Sequence, residues 1–452
     1  CFNPKDSIHP DTLGRRSHYT IGQGRALTRV CELVKEVDPT RFVGPHADGN
    51  LGDFAGGNTY PNWTPVQEIR DYAEVWREDG DMPYFASEYD TVYGGCFLRN
   101  IHESLYTEYG AVFFGEEAYD RESEDYLKRL VDFGVKTRTV HGNLHLFASY
   151  APLYYDIREL YVTATDKYWR EAGVNFWQYF HGGKYENERM RAIHAKWRQP
   201  FIAFIGGADD AADVTHVYRA GETVKKSVRA VWDGAGTRQF RPAWSLLNAK
   251  GQAVARGAVG LTMGCGDITN VVFSFKAPNV TARTDFTLVL TTEINRQKKQ
   301  SCRDELRITV FPAPKKAKAK LAHRVVLFDP KGLSGWVTNL VENVVVTNTA
   351  QLAGLDPAKD MLVVGREALV INQALPWTLK QVREGLRVLV LEQQPDVLDT
   401  FGFRTEDVFP REVYGMCSSG KVMEGLQDSD LASWRGRPNL LPEYGRARNP
   451  SY

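Results

Sequence analysis

Cysteine is scarce, with six in 452 residues at positions 1, 31, 96, 265, 302 and 417. No two form a CxxC pair and no histidines cluster at metal spacing, which argues against a zinc site. The thiols read as isolated and mostly unpaired, although Cys265 and Cys302 fall in one apparent domain and could pair in an oxidising compartment. Charge of one sign is also missing. Lys and Arg number 56 against 56 Asp and Glu, so the chain lacks the electropositive balance that phosphate binding uses, and nucleic acid is not an expected partner. No apolar run approaches the roughly 18 residues of a membrane-spanning helix. The first residue is Cys1, with no initiator Met, basic n-region or apolar h-region. The natural start is therefore read as lying upstream, and compartment stays open, with a periplasmic or secreted location favoured over others.

Aromatic residues are plentiful. Phe, Trp and Tyr make up 12% of the chain, with 10 Trp, a content that suits thick cores or flat apolar platforms for a ligand. The length predicts two to four domains at roughly 100 to 200 residues each.

Residues 1–198 alternate helical patterns with short apolar runs. Leu27, Val30, Val34 and Val37 share one helix face, Asp38-Pro39 stops it, and Phe42-Val43-Gly44 begins an extended run. Val66, Ile69, Ala73 and Trp76 repeat the pattern before Pro83-Tyr84-Phe85-Ala86, and Gly173 to Trp177 follows a long helical stretch from about Glu122 to Ala172. Alternation of this kind predicts parallel sheet. In residues 199–312 the period changes to two, as in Val228, Ala230 and Trp232, Trp244 and Leu246, Phe286, Leu288 and Leu290, and Leu306, Ile308 and Val310. Turn residues punctuate these runs at the intervals of an antiparallel sandwich. The Pro/Lys/Ala segment in 313–322 reads as an exposed linker. In residues 323–452, the continuous apolar runs Val325–Phe328, Met361–Gly365 and Arg387–Leu391 suit strands buried on both faces of a small doubly wound α/β domain. Neither GxGxxG nor GxSxG is present there, and Cys417 in Gly415-Met416-Cys417-Ser418-Ser419-Gly420 reads either as a loop thiol or as a nucleophile.

The segment richest in chemistry is Pro83-Tyr84-Phe85-Ala86-Ser87-Glu88-Tyr89-Asp90, an apolar strand ending in a carboxylate. In a parallel β/α barrel the C-terminal strand ends carry the catalytic groups, so Glu88 would project into the mouth; otherwise it is a solvated carboxylate opening a loop. Glu116-Glu117, in the insertion that follows, could reach such a mouth as a second carboxylate, but adjacent carboxylates in a Gly-flanked loop read rather as a solvated pair.

Ala86-Ser87-Glu88-Tyr89 resembles the nucleophile strand of glycoside hydrolase family 2, the β-galactosidase, β-glucuronidase and β-mannosidase group. Gly57-Asn58-Thr59-Tyr60-Pro61-Asn62-Trp63 is similar to that family's sixth barrel strand and Gly173-Val174-Asn175-Phe176-Trp177 to its eighth, in the same order. The resemblance covers about residues 1–310. It implies strands five to eight of a (β/α)8 TIM barrel followed by an immunoglobulin-like sandwich. Residues 323–452 look like the glutamine-amidotransferase-like, non-catalytic modules of some bacterial glycosidases, where they support contacts between copies.

What the family implies is a retaining exo-β-glycosidase acting on a terminal β-glycoside or oligosaccharide, with two carboxylates about 5 to 5.5 Å apart. Glu88 matches the nucleophile. The general acid would be the Glu of an Asn-Glu pair that belongs just before Cys1, so the chain is expected to lack it. Tyr60 is the candidate phenol donating to Glu88, or else a strand-end aromatic on Pro61. His46 and Asp48, after the fifth strand, suit sugar hydroxyls, or else a Gly-rich turn. Trp177 would offer a face to the sugar ring and His181 a hydroxyl contact. No metal or organic cofactor is implied. Two other functions fit the same residues: a non-catalytic carbohydrate-binding or scaffold protein, and an amidotransferase-like enzyme using Cys417.

Overall fold

A helix stops where a proline forbids its continuation, and α1 (Ile21–Val37) ends just before Asp38-Pro39 as its pattern predicts. The computed structural model describes residues 21–44, 46, 51–59, 66–70, 83–89, 110–111, 113–122, 124, 128, 153–174, 176–179, 187–295, 300–314, 318–349, 354–403, 412–415 and 423–433. By packing, the chain divides into two units: residues 1–313 with 409–437 and 443–452, and residues 314–408 with 438–442. Residues 409–437, which the sequence pattern groups with the last domain, thus pack with the first unit.

In the first unit, β1 (Ala55–Thr59), β2 (Tyr84–Tyr89) and β3 (Phe176–Tyr179) form a parallel sheet in the order β1-β2-β3. These are three of the four strands expected before residue 198. The extended run at Phe42 is not part of that sheet. Phe42 is 80% exposed, and the Val43 amide and carbonyl are taken up locally by Asp53, through its carboxylate at 2.9 Å and its amide at 2.7 Å. The same carboxylate meets Lys35 of α1 at 2.9 Å, so Asp53 ties the loop to the helix. The clasp requires Gly52, because a Cβ there would sit 2.3 Å from the Val43 carbonyl oxygen.

The long helical stretch resolves into α2 (Tyr154–Glu171), which is buried on nearly every side although it carries Arg158, Asp166, Lys167, Arg170 and Glu171 among its buried residues. A helix so enclosed is normally apolar all round. Here each charge near the C-terminal end has a partner instead. Glu171 joins Arg70 at 2.7 Å and Arg229 at 2.9 Å, Lys167 joins Asp304 at 3.1 Å, and Arg170 joins Asp233 at 2.6 Å while donating to the Trp197 and Gln199 carbonyls. After it, α3 (Glu188–Trp197) is capped by Asn187, whose side chain accepts from the Met190 amide, and buries Met190, Ile193 and Trp197 along one face.

Residues 201–311 contain no helix among the described residues. One antiparallel sheet holds β4 (Phe201–Gly207), β6 (Thr223–Trp232) and β11 (Asp267–Lys276), in the order β11-β6-β4. A second has the order β5-β13-β12-β8-β9, with β5 (Val217–Arg219), β8 (Ala243–Leu247), β9 (Ala253–Ala258), β12 (Thr284–Asn295) and β13 (Gln300–Phe311). A third pairs β7 (Arg238–Phe240) with β10 (Leu261–Met263). The period-two residues are the inward ones: Val228, Ala230, Leu246, Leu288, Leu290, Ile308 and Val310 are all buried. Their core is continuous with that of the parallel sheet through Tyr161, Trp169, Trp197 and Phe204. Cys265 and Cys302 do not pair. Both thiols are free, Cys265 exposed and Cys302 buried, where it donates to the Ala203 carbonyl.

The second unit contains a four-stranded parallel sheet, β15-β14-β16-β17, from β14 (Arg324–Phe328), β15 (Val345–Thr347), β16 (Asp360–Val364) and β17 (Arg387–Val390). Alternate residues of its two central strands feed separate apolar clusters on the two faces, Val326, Phe328, Leu362 and Val364 on one and Val325, Leu327 and Val363 on the other. Burial on both faces holds for β14 and β16 but not for the edge strand β17, where Leu389 is 46% exposed. Ala319, inside the expected linker, makes a short parallel bridge to Val341.

Candidate functional site

The chemistry-bearing edge of a parallel sheet is the one where its strands end, and β1, β2 and β3 all end on the same edge. On β2, Tyr84 and Ala86 face α2, Tyr84 meeting Trp169 edge-on at 6.2 Å. Strict alternation would turn Glu88 the same way. It does not, because β2 carries an extra residue at this point: Gly57 and Asn58 of β1 pair with Ala86 and Glu88, skipping Ser87, and the register to β3 shifts between Ala86 and Tyr89. Such a bulge re-aims side chains. Tyr89 returns to the α2 face, its ring 4.6 Å from Trp169 and its hydroxyl bonded to Thr165. Glu88 is left off that face, its side chain 22% exposed, with Oε1 at 3.1 Å from Nε2 of His46.

His46 extends from the loop that Asp53 clasps to α1 and sets its Nε2 against the Glu88 carboxylate. The opposite face of the sheet below it is aromatic. Phe85 meets Phe54 at 5.4 Å and Phe176 at 6.3 Å, both edge-on, and Phe176 is 58% exposed. Glu88 and His46 are thus brought together, in a direct contact that sequence reasoning missed when it reserved His46 for substrate and gave the donor role to Tyr60. Tyr60, Asp48 and His181 lie outside the described residues, as does Cys417.

Trp177, the candidate sugar platform, lies on the other side of the sheet from Glu88. Register pairs it with Ala86 and Phe176 with Phe85, so the indole goes to the α2 side of the sheet. There it meets Trp169 edge-on at 6.0 Å, under the Arg198 guanidinium at 5.2 Å. Arg198 in turn bonds Asp166, which is fully buried and also receives His194 at 2.7 Å. Tyr179, packed on His194, has its hydroxyl pKa pushed well up by burial and by the Asp166 charge. Glu116 and Glu117 are exposed, Glu117 paired with Arg121, as a solvated pair would be.

A second titratable group stands apart from this edge. Residues 412–415 and 423–433 run against the first unit, with Asp430 held bidentately by Arg283 at 2.7 Å for both bonds and Ser429 accepting from His216 at 2.7 Å. Tyr414 packs so closely on Gly115 that a Cβ there would lie 2.8 Å from its ring. Burial alone raises the Glu412 carboxyl to about 7, and its Oε2 has no hydrogen-bond partner.

No family model matches the chain, and no curated protein matches it. Solved structures give partial likenesses. A CARDB domain from Pyrococcus furiosus, in complex with di-metal ions, is 12% identical over 25% of this chain and 94% of its own, with a TM-score of 0.18. The C-terminal domain of Wzt is 10% identical over 25% of this chain and 71% of its own, also at 0.18. Red sea bream transglutaminase is 10% identical over 33% and 22%, at 0.21. Likenesses at these TM-scores support no statement about fold or activity.

Proposed function

We propose that the chain is part of a retaining β-glycosidase similar to glycoside hydrolase family 2, with Glu88 as its nucleophile. In this reading the parallel sheet is the second half of a (β/α)8 barrel, residues 201–311 are the immunoglobulin-like sandwich that follows, and the second unit is an amidotransferase-like module that supports contacts between copies. The observation that carries the proposal is the bulge in β2, which turns Glu88 away from the helix layer at the C-terminal edge of a parallel sheet and against His46 at 3.1 Å.

The Glu88 carboxylate attacks the anomeric carbon, the glycosidic C–O bond breaks, and its electron pair leaves with the aglycone oxygen. Water then cleaves the glycosyl ester, returning the carboxylate and the sugar with retained configuration. His46, at 3.1 Å from Oε1, holds the carboxylate in place.

The test removes any need for a proton donor. A 2,4-dinitrophenyl 2-deoxy-2-fluoro-β-glycoside releases an anion that departs unassisted, while the fluorine slows hydrolysis of the ester. Mass spectrometry of the chain treated with the galactoside, glucuronide and mannoside forms should find a glycosyl adduct on the peptide containing Glu88, absent in Glu88→Gln. Adduct formation by none of them, or an equal adduct in Glu88→Gln, overturns the assignment.

A further inference from the structure

We propose that residues 412–415 form a pH-sensitive latch on the insertion after β2, shut while the Glu412 side chain is neutral and opened by its ionisation, with residues 427–431 keeping their place on the sandwich throughout. The two segments lie side by side, the Val413 amide donating to the Leu431 carbonyl at 3.1 Å and the Gly415 amide to the Asp428 carboxylate at 2.7 Å. Their attachments to the rest of the first unit differ in kind. Residues 427–431 are held by charge and hydrogen bonds, Arg283 on Asp430 and His216 on the Ser429 carbonyl. Residues 412–415 are held by packing, with Tyr414 over Gly115, whose φ of +60° and closeness to the ring leave no room for a side chain.

The weak point of that packing is Glu412. Its Oε2 is buried with no hydrogen-bond partner, and a carboxylate buried in that way is far costlier than the neutral acid. The titratable groups beside it in the two segments are Tyr414 and Asp428, and around Gly115 the insertion carries Glu116, Glu117, Asp120 and Arg121, all four exposed. None of them offsets burial, which alone moves the Glu412 carboxyl from 4.5 to about 7. Asp430 behaves otherwise. Burial pushes its carboxyl up, but the bonds from Arg283 and the nearby Arg307 charge hold it low, so it stays ionised and attached over this range. Opening hydrates Glu412, and between pH 4.5 and 7 the open form loses its proton first. The opening constant therefore rises about tenfold per pH unit and levels off above about pH 7.

Hydrogen exchange of the full chain tests the latch, read by mass spectrometry from about pH 4.5 to 8 and corrected for the intrinsic exchange rate at each pH. Protection of the peptide over 412–415 should fall about tenfold per pH unit up to about pH 7 and then level. The peptide containing Gly115 should lose protection over the same range, while 427–431 keeps its own. Glu412→Gln, neutral at every pH, should hold the protection of 412–415 constant. Glu116→Gln, on the exposed surface of the insertion, should leave the native profile as it is. A native profile that does not change with pH, an equal fall in 427–431, or a pH dependence that survives Glu412→Gln overturns the proposal. The native contrast between 412–415 and 427–431 decides the matter even if a variant fails to fold.

Discussion

The two units solve burial in opposite ways. The first encloses charged residues of α2 and pairs Lys167, Arg170 and Glu171 across the contact between helix and sandwich, within one continuous core. The second keeps its two small clusters apolar and leaves one partner of its ion pairs in solvent, as with Lys359 and Asp356, whose side chains are 80% and 42% exposed, and with Arg324, 51% exposed, on the buried Asp360. The difference teaches where each unit is vulnerable. A buried pair is no stronger than an apolar contact of the same shape, but removing one partner leaves the other charged and desolvated.

The largest effect expected is therefore at Glu171. Glu171→Ala removes the buried carboxylate that pairs with both Arg70 and Arg229 and should cost the first unit about 3 to 5 kcal/mol. Urea unfolding followed by tryptophan fluorescence should show the first unit's transition shifted and the second unit's unmoved; a joint shift would break the comparison. Next is Leu362, fully buried on β16. Leu362→Ala should cost the second unit about 2 to 5 kcal/mol, whereas Leu389→Ala on the half-exposed edge strand should cost less than about 1 kcal/mol, a contrast hydrogen exchange of the sheet amides can resolve.

Glu412 gives an intermediate effect with a pH signature. Its folded pKa of about 7 stands above the ordinary 4.5, so the unfolded chain loses the proton first. Its contribution is complete below pH 4.5 and is lost as pH rises to about 7. Glu412→Gln should flatten that slope in the urea midpoint of the first unit. Asp430 acts at the other end of the scale: burial pushes its carboxyl up, but the Arg283 bonds outweigh burial and hold it below the usual range. That contribution persists above the ordinary carboxylate pKa and is lost as pH falls through the lowered value. The smallest effect is at the surface, where Lys359→Ala should change the second unit by less than about 1 kcal/mol and become undetectable at high salt.

Much of the element order was legible. β2 and α1 lie where an apolar run and a helical face ended in turn residues, and the alternate burial of Val228, Ala230, Ile308 and Val310 follows directly from period two. β15 was not read, since three residues between two turns carry too little pattern, and its exposure shows why no continuous apolar run was selected there. The apolar face of α1 was legible as a pattern but not in its surroundings: Val30, Val34 and Val37 are 53%, 43% and 87% exposed. At the candidate site, the position of Glu88 at a strand end was legible because a carboxylate closing an apolar strand is a local signal. Its contact with His46 joins residues far apart in the chain, and the facing of Trp177 depends on a register that no single strand encodes.

What the sequence by itself determined is what short-range periodicity and backbone chemistry carry: which segments are helix or strand, where prolines stop them, and which strand ends in a carboxylate. Tertiary structure decided the rest. Whether a charge on α2 is solvated or buried depends on Arg70, Arg229, Asp233 and Asp304 arriving from other elements. Whether Glu88 faces the helix layer or the opposite side of the sheet depends on one extra residue in β2 relative to both neighbouring strands. Both are properties of pairing between distant segments, because desolvation and sheet register are set by what a residue meets across space.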